Sequence, residues 1–66
     1  MVIKNNLKQI RMREYMLSSK DFAKLLDAPV STYSQWENGT NNPTLAKSFE
    51  IAKKINKSVI DIWYSE

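Results

Sequence analysis

Apolar residues recur at helical spacing in five short stretches, each closed off by local punctuation. Leu7, Ile10, Glu14 and Leu17 fall at that spacing, with Lys8, Arg11 and Arg13 among the remaining positions, which predicts an amphipathic helix over about residues 5–16. A second helix is expected from Ser18, because its hydroxyl can accept a first-turn amide and Asp21 three residues on completes a capping box. Its expected core face is Phe22, Ala23, Leu25 and Leu26. Asp27-Ala28-Pro29 then breaks the pattern, since a residue before proline is pushed out of the α region and proline itself is tolerated only in a helix's first turn. The spacing predicts a third helix from about Pro29 to Glu37 that buries Tyr33 and Trp36 and stops at Asn38-Gly39. After a polar loop ending in Pro43, Thr44 is the natural cap of a fourth helix whose apolar positions are Leu45, Phe49, Ile51, Ala52 and Ile55. Ser58 and Asp61 repeat the capping-box spacing and start a short fifth helix carrying Val59, Ile62 and Trp63. Val2-Ile3 and Tyr64-Ser65-Glu66 are left at the ends. Their strand-prone residues suit a small antiparallel ribbon, and fraying is the other outcome.

These elements predict an all-α fold, a compact five-helix bundle forming one domain over residues 1–66, with the terminal β-ribbon as the open question. A chain of 66 residues buries only roughly 60% of the surface its unfolded form exposes, so self-association would help it. With no cysteine and no histidine, a disulfide scaffold and the usual zinc-ligand sets are not expected, nor is any other metal or cofactor. Catalysis is not expected either. The common general base and the thiolate nucleophile are both missing, the seven carboxylates are dispersed, and Gly39 alone cannot make a glycine-rich phosphate loop. The apolar runs are far below the ~20 residues that cross a bilayer and no signal-peptide pattern opens the chain, which points to the cytoplasm and away from the membrane.

Net charge is +3, unevenly placed: residues 1–24 sum to +4 and residues 25–66 to −1. That asymmetry permits a polyanionic partner, and an ordinary solvated basic face accounts for it equally well. Two short helices joined by a tight turn, over residues 18–39, have the layout of a helix-turn-helix whose second helix enters the major groove. With Tyr33 and Trp36 turned inward, Val30, Ser31, Thr32, Ser34 and Gln35 remain to face outward. Hydroxyls and carboxamides can donate and accept at base edges, glutamine pairs bidentately with adenine, and valine can meet a thymine methyl. The same composition is also that of a plain soluble surface.

The runs Leu17-Ser18-Ser19-Lys20-Asp21-Phe22-Ala23-Lys24-Leu25-Leu26 and Ser31-Thr32-Tyr33-Ser34-Gln35-Trp36-Glu37-Asn38-Gly39, with Pro43, resemble the Cro/Xre-type helix-turn-helix family of phage repressors and bacterial regulators. Ile51-Ala52-Lys53-Lys54-Ile55 and Ser58-Val59-Ile60-Asp61 fit that family's fourth and fifth helices, so the resemblance covers nearly the whole chain. It implies a five-helix domain that binds double-stranded operator DNA, usually as a homodimer on inverted half-sites. Val30, Ser31, Thr32 and Gln35 match the family's base-reading positions. Ser19 stands where members often have a phosphate-contacting glutamine, and Ser34 falls at a DNA-backbone position. Tyr33 replaces the usual aliphatic residue, with its ring expected inside and its hydroxyl toward a phosphate. Arg11 and Glu37 fall where the family places an internal ion pair. Pro29 stands in place of a capping serine, and the segment between Arg11 and Ser18 is one residue longer than usual.

Further backbone contacts are expected around Asn38, Thr40 and Asn41, and from Lys4, Lys8, Arg11 or Arg13 only where the first helix faces DNA. Ile60, Ile62, Trp63 and Tyr64 offer apolar and aromatic surface for a dimer interface, unless Trp63 merely closes the core. The expected function is therefore a sequence-specific transcriptional regulator, a repressor of phage or mobile-element type. An antitoxin that also binds a toxin partner is the neighbouring alternative. A protein-interaction module that has lost DNA contact is the other, kept open because the third helix bears no basic residue.

Overall fold

A computed structural model describes residues 2–66. The chain runs β1 (Ile3–Asn5), α1 (Leu7–Ile10), a π-helical turn (Arg11–Tyr15), α2 (Ser19–Leu25), α3 (Val30–Asn38), α4 (Leu45–Lys54), α5 (Val59–Ile62) and β2 (Trp63–Ser65). The two strands form an antiparallel ribbon with Ile3 opposite Ser65, Lys4 opposite Tyr64 and Asn5 opposite Trp63. The ends therefore pair instead of fraying, and Lys4 and Glu66 add a surface ion pair at 3.2 Å.

The core is built from one stripe on each helix. Leu7 and Ile10 come from α1, Phe22 and Ala23 from α2, Tyr33 and Trp36 from α3, and Ile51 and Ala52 from α4, with Leu26, Ile55, Ile62 and Trp63 closing it. Its centre is aromatic: the Phe22 ring stands edge-on to Tyr33 at 5.6 Å and tilted to Tyr15 at 5.3 Å. Such pairs contribute about 0.5–1.5 kcal/mol beyond the area they bury. Phe22 thus joins the first helical segment to α2 and α2 to α3.

Local signals set most of the boundaries. Ser18 accepts the Asp21 amide at 3.2 Å, Thr44 accepts that of Lys47 at 3.2 Å, and the Asp61 carboxylate accepts the Ser58 amide at 3.1 Å. Helices α2 and α4 end in Schellman motifs. The Ala28 amide reaches the Ala23 carbonyl at 2.9 Å and the Lys57 amide that of Ala52 at 2.9 Å, with Asp27 and Asn56 in the left-handed region.

Five expectations are corrected. The first helix is not one α-helix over residues 5–16: after Ile10 it widens into the π turn and stops at Met16, which is left-handed at φ 52°. A π turn takes one more residue than an α turn, so it absorbs the extra residue before Ser18 without displacing Arg11 or Leu17. Pro29 is extended at ψ 145° and serves as the cap of α3, which starts one residue later, at Val30, and runs to Asn38 before Gly39 turns left-handed at φ 83°. Leu25 is 40% exposed because the buried stripe of α2 runs through Phe22, Ala23 and Leu26. Leu45 and Phe49 are 72% and 61% exposed, since the inward stripe of α4 is Ser48, Ile51, Ala52 and Ile55; Ser48 satisfies its hydroxyl on the Thr44 carbonyl at 2.9 Å. Trp63 leaves α5 for β2, and with Ile62 it lies inside the core, so neither offers a side chain to a partner. Of the four residues expected at an interface, Ile60 and Tyr64 are exposed.

Met16 is a left-handed residue with a Cβ whose side chain packs on nothing, being 82% exposed. The conformation costs a non-glycine residue about 1–2 kcal/mol, and glycine gives back part of that gain in unfolded-chain entropy. Met16→Gly is expected to stabilise the domain by about 1 kcal/mol, a rise of roughly 4–8 °C in melting temperature for a domain of this size. A melt followed by circular dichroism checks this, and an unchanged or lower midpoint contradicts it.

Candidate nucleic-acid interface

Helix α3 presents a polar, uncharged face because its two large side chains point the other way. Tyr33 is fully buried and Trp36 nearly so, which turns Val30, Ser31, Ser34 and Gln35 outward. Ser31 and Gln35 are one helical turn apart on a single stripe, with Ser34 beside them. Thr32 is half-buried on the flank, in a hollow shared with Trp36 and Pro43, so the structure gathers three of the four expected base-reading residues and sets the fourth to one side. Ser19, at the first turn of α2, is half-buried, Asn38 is exposed as the last residue of α3, and Thr40 and Asn41 are exposed beyond it.

A cluster of three side chains fixes the roll of this helix. Arg11 meets Glu37 through both arms of its guanidinium, Nε to Oε2 at 3.0 Å and Nη2 to Oε1 at 3.2 Å, while Nη1 donates to the Leu17 carbonyl at 3.0 Å. The two side chains are only 13% and 15% exposed. The Tyr33 hydroxyl donates to the same Glu37 oxygen. Burial alone would push the Glu37 carboxyl up, but the hydrogen bonds from Arg11 and Tyr33 and the charges of Arg11 and Lys8 outweigh it and hold the carboxyl below its ordinary value. The hydrogen bond to Glu37 raises the Arg11 guanidinium further. Burial first, and then Glu37, push the Tyr33 hydroxyl up. Tyr33 therefore does not send its hydroxyl to a phosphate: the ring is enclosed and the proton is committed to Glu37.

Asn5 also holds α3, and sequence reasoning missed it. Its carboxamide donates to the Trp36 carbonyl at 2.8 Å and accepts the Leu7 amide at 3.0 Å, so one side chain caps α1 and ties it to the end of α3. An asparagine two residues ahead of a helical run was the available signal.

Charge is placed around the outward face of α3 and not on it. Among the described residues, Lys4, Arg11, Lys47, Lys54 and Lys57 each have a carboxylate within 4 Å. Lys8, Arg13, Lys20, Lys24 and Lys53 have none, and three of these, Lys8, Lys20 and Lys24, border α3. Lys8 lines a hollow of about 380 Å³ with Ser34, Glu37 and Asn38, and Lys20 and Lys24 line an open cleft of about 660 Å³ that ends at Pro29 and Val30. Thr40 donates both its amide, at 2.9 Å, and its hydroxyl, at 2.6 Å, to the Asn38 carboxamide oxygen, which leaves Asn38 Nδ2 as the outward donor of that pair. Among the described residues no group of three or more acidic side chains stands close enough to hold a metal ion, and no helix is long and apolar enough to cross a membrane.

A family model described as helix-turn-helix, of the Cro/C1 type, matches residues 7–62, and the chain belongs to that family. A search for curated relatives returned no match. The chain is a DNA-binding regulator of this type.

Because the folded-state carboxyl of Glu37 is lowered, its contribution to stability is complete above the ordinary carboxylate value of about 4.3 and disappears as pH falls through the lowered value. Glu37→Gln leaves Arg11 without a counter-charge in a nearly closed site and is expected to cost about 3 kcal/mol at neutral pH. Tyr33→Phe, which removes one donor, should move the acid limb of stability to higher pH. Urea unfolding at a series of pH values measures both, and an acid limb that stays in place in Tyr33→Phe contradicts the cluster's role.

Proposed function

We propose that this Cro/C1-type regulator is a sequence-specific repressor that binds an inverted-repeat operator as a homodimer, with α3 lying in the major groove. The observation that carries the reading is the position of Lys8, Lys20 and Lys24, three of the five basic side chains that have no carboxylate partner among the described residues. Lys8 borders one side of the polar face of α3, and Lys20 and Lys24 border its N-terminal end. A helix face that carries hydrogen-bonding groups but no charge, set between cations, suits a division of labour in which lysines hold phosphates and the helix reads bases. Val30, Ser31 and Gln35 make the base contacts, with Thr32 reaching in from the flank. Ser19, Ser34 and Asn38 border the backbone, and Lys8 beside Ser34 and Asn38 forms the best-defined phosphate seat.

A dimer is supported by the large apolar side chains left at the surface. Ile60 is 82% exposed, Leu45 72% and Phe49 61%, on a chain too short to stabilise itself by a wide margin. Two copies related by a two-fold axis would place their α3 helices ~34 Å apart, one turn of DNA.

Selection from a random duplex pool, followed by titration at several salt concentrations, tests the proposal. The selected sites are expected to be inverted repeats with half-site centres about one turn apart. If each protomer neutralises phosphates with its three lysines, the log–log salt slope should be about −5. Gln35→Ala should relax preference at one symmetric base pair, by ~1–3 kcal/mol of discrimination, and leave affinity for random duplex unchanged. A single unrepeated site would contradict the dimer. An equal loss on selected and random duplexes in Gln35→Ala would contradict the base-reading role.

A further inference from the structure

We propose that Asn41, outside the helix-turn-helix, is a specificity-determining residue that acts through Gln35 by fixing the orientation of its carboxamide. The proposal rests on the reading of Gln35 as a base-contacting residue and deepens it.

The loop after α3 folds back on the helix it leaves. Gly39, left-handed at φ 83°, reverses the chain, and the Asn38 carboxamide pins Thr40 through two hydrogen bonds, at 2.9 and 2.6 Å. The Asn41 amide then donates to the Gln35 carbonyl at 3.2 Å, which brings residue 41 level with residue 35. From there Asn41 Nδ2 donates to Gln35 Oε1. Asn41 is thus held by its own backbone while its side chain holds that of Gln35.

Both residues are exposed, so this contact does little for the core and much for the shape of the surface presented to a ligand. A free glutamine has several rotatable bonds and an amide that can turn over, exchanging donor for acceptor at its tip. With Asn41 donating to Oε1, the end of the fork is assigned. One Oε1 lone pair and the Nε2 hydrogens remain for the groove, which is the complement of the adenine N6 donor and N7 acceptor. Without Asn41 both orientations are open, and ordering the side chain on binding becomes a cost of complex formation. Asn41 is a positioning residue, in contrast to an asparagine that simply donates to a phosphate, and the two roles differ in what they do to random DNA.

The test uses the full chain, the duplex that the wild-type protein selects from a random pool, its single-base-pair variants, and a random duplex. Asn41→Ala is expected to lower affinity for the selected duplex by about 3–10-fold per half-site while leaving random duplex and melting temperature unchanged. The loss should fall on the same base pair that Gln35→Ala relaxes, and Asn41→Ala should add nothing further in a Gln35→Ala background. Asn41→Asp has the same shape and backbone but no side-chain donor. It should lower the ratio of selected to random affinity as alanine does, whatever its charge does to both. An equal loss on selected and random duplexes in Asn41→Ala would make Asn41 a phosphate contact and overturn the inference, as would no loss on either. If Gln35→Ala relaxes one base pair and Asn41→Ala does not, only the role of Asn41 falls. If Gln35→Ala itself lowers both duplexes equally, the base-reading assignment falls, and this inference with it.

Discussion

A carboxylate cannot leave water at the base of a packed helix unless donors replace its hydration, and Glu37 receives three, from Arg11 Nε, Arg11 Nη2 and the Tyr33 hydroxyl. The position of the reading helix depends on that replacement. Tyr33 and Glu37 both belong to α3, so the cluster is one turn of the helix gripping a single arginine from the first helical segment. Arg11 in turn closes the end of its own π turn through the Leu17 carbonyl. Apolar packing of Phe22 and Trp36 would bring α2 and α3 together, but it is tolerant of small rotations about the helix axis. The forked geometry of guanidinium and carboxylate is not, and rotation of α3 by one residue would put Thr32 and Trp36 where Ser31 and Gln35 stand.

With α3 fixed in roll, the remaining devices determine what surrounds it. The Schellman ending of α2 brings the chain to Pro29, whose extended conformation starts α3 without a side-chain cap and so without a side chain in front of the helix. The left-handed Gly39 at the other end returns the loop to Gln35. Asn5 ties the Trp36 carbonyl to the terminal ribbon. Lys8, three residues beyond Asn5 in α1, lines one hollow with Ser34 and Asn38. The outcome is an uncharged outward face on α3 with Lys8, Lys20 and Lys24 on its flanks.

Much of this is legible along the chain because the signals are local. Ser18 with Asp21, Thr44, Ser58 with Asp61, and Asn38-Gly39 each mark a helix end through contacts within a few residues. The inward positions of Tyr33 and Trp36 follow from helical spacing alone. What is not legible depends on partners far away. The π turn over Arg11–Tyr15 is not legible in local spacing, and Arg11 at its start is held by Glu37, 26 residues on. Leu45 and Phe49 have the composition of a core and lie outside it, because an apolar pattern of about three turns does not say which of two adjacent stripes the bundle covers. Trp63 reads as helical until its backbone pairs with Asn5. Thr32 belongs to the outward set by spacing and is drawn to the flank by the hollow beside Pro43. The link from Asn41 to Gln35 exists only once the loop has folded back.

The central claim is that α3 and the residues bordering it are the surface that meets DNA. Backbone amide shifts recorded by NMR during titration with a duplex measure that surface residue by residue. The account predicts that the largest changes fall at Lys8, at Ser19 and Lys20, along Val30 to Gln35, and at Asn38 to Asn41, with α4 and α5 little affected. Shifts concentrated instead around Leu45, Phe49 and Ile60, with α3 unmoved, would contradict it.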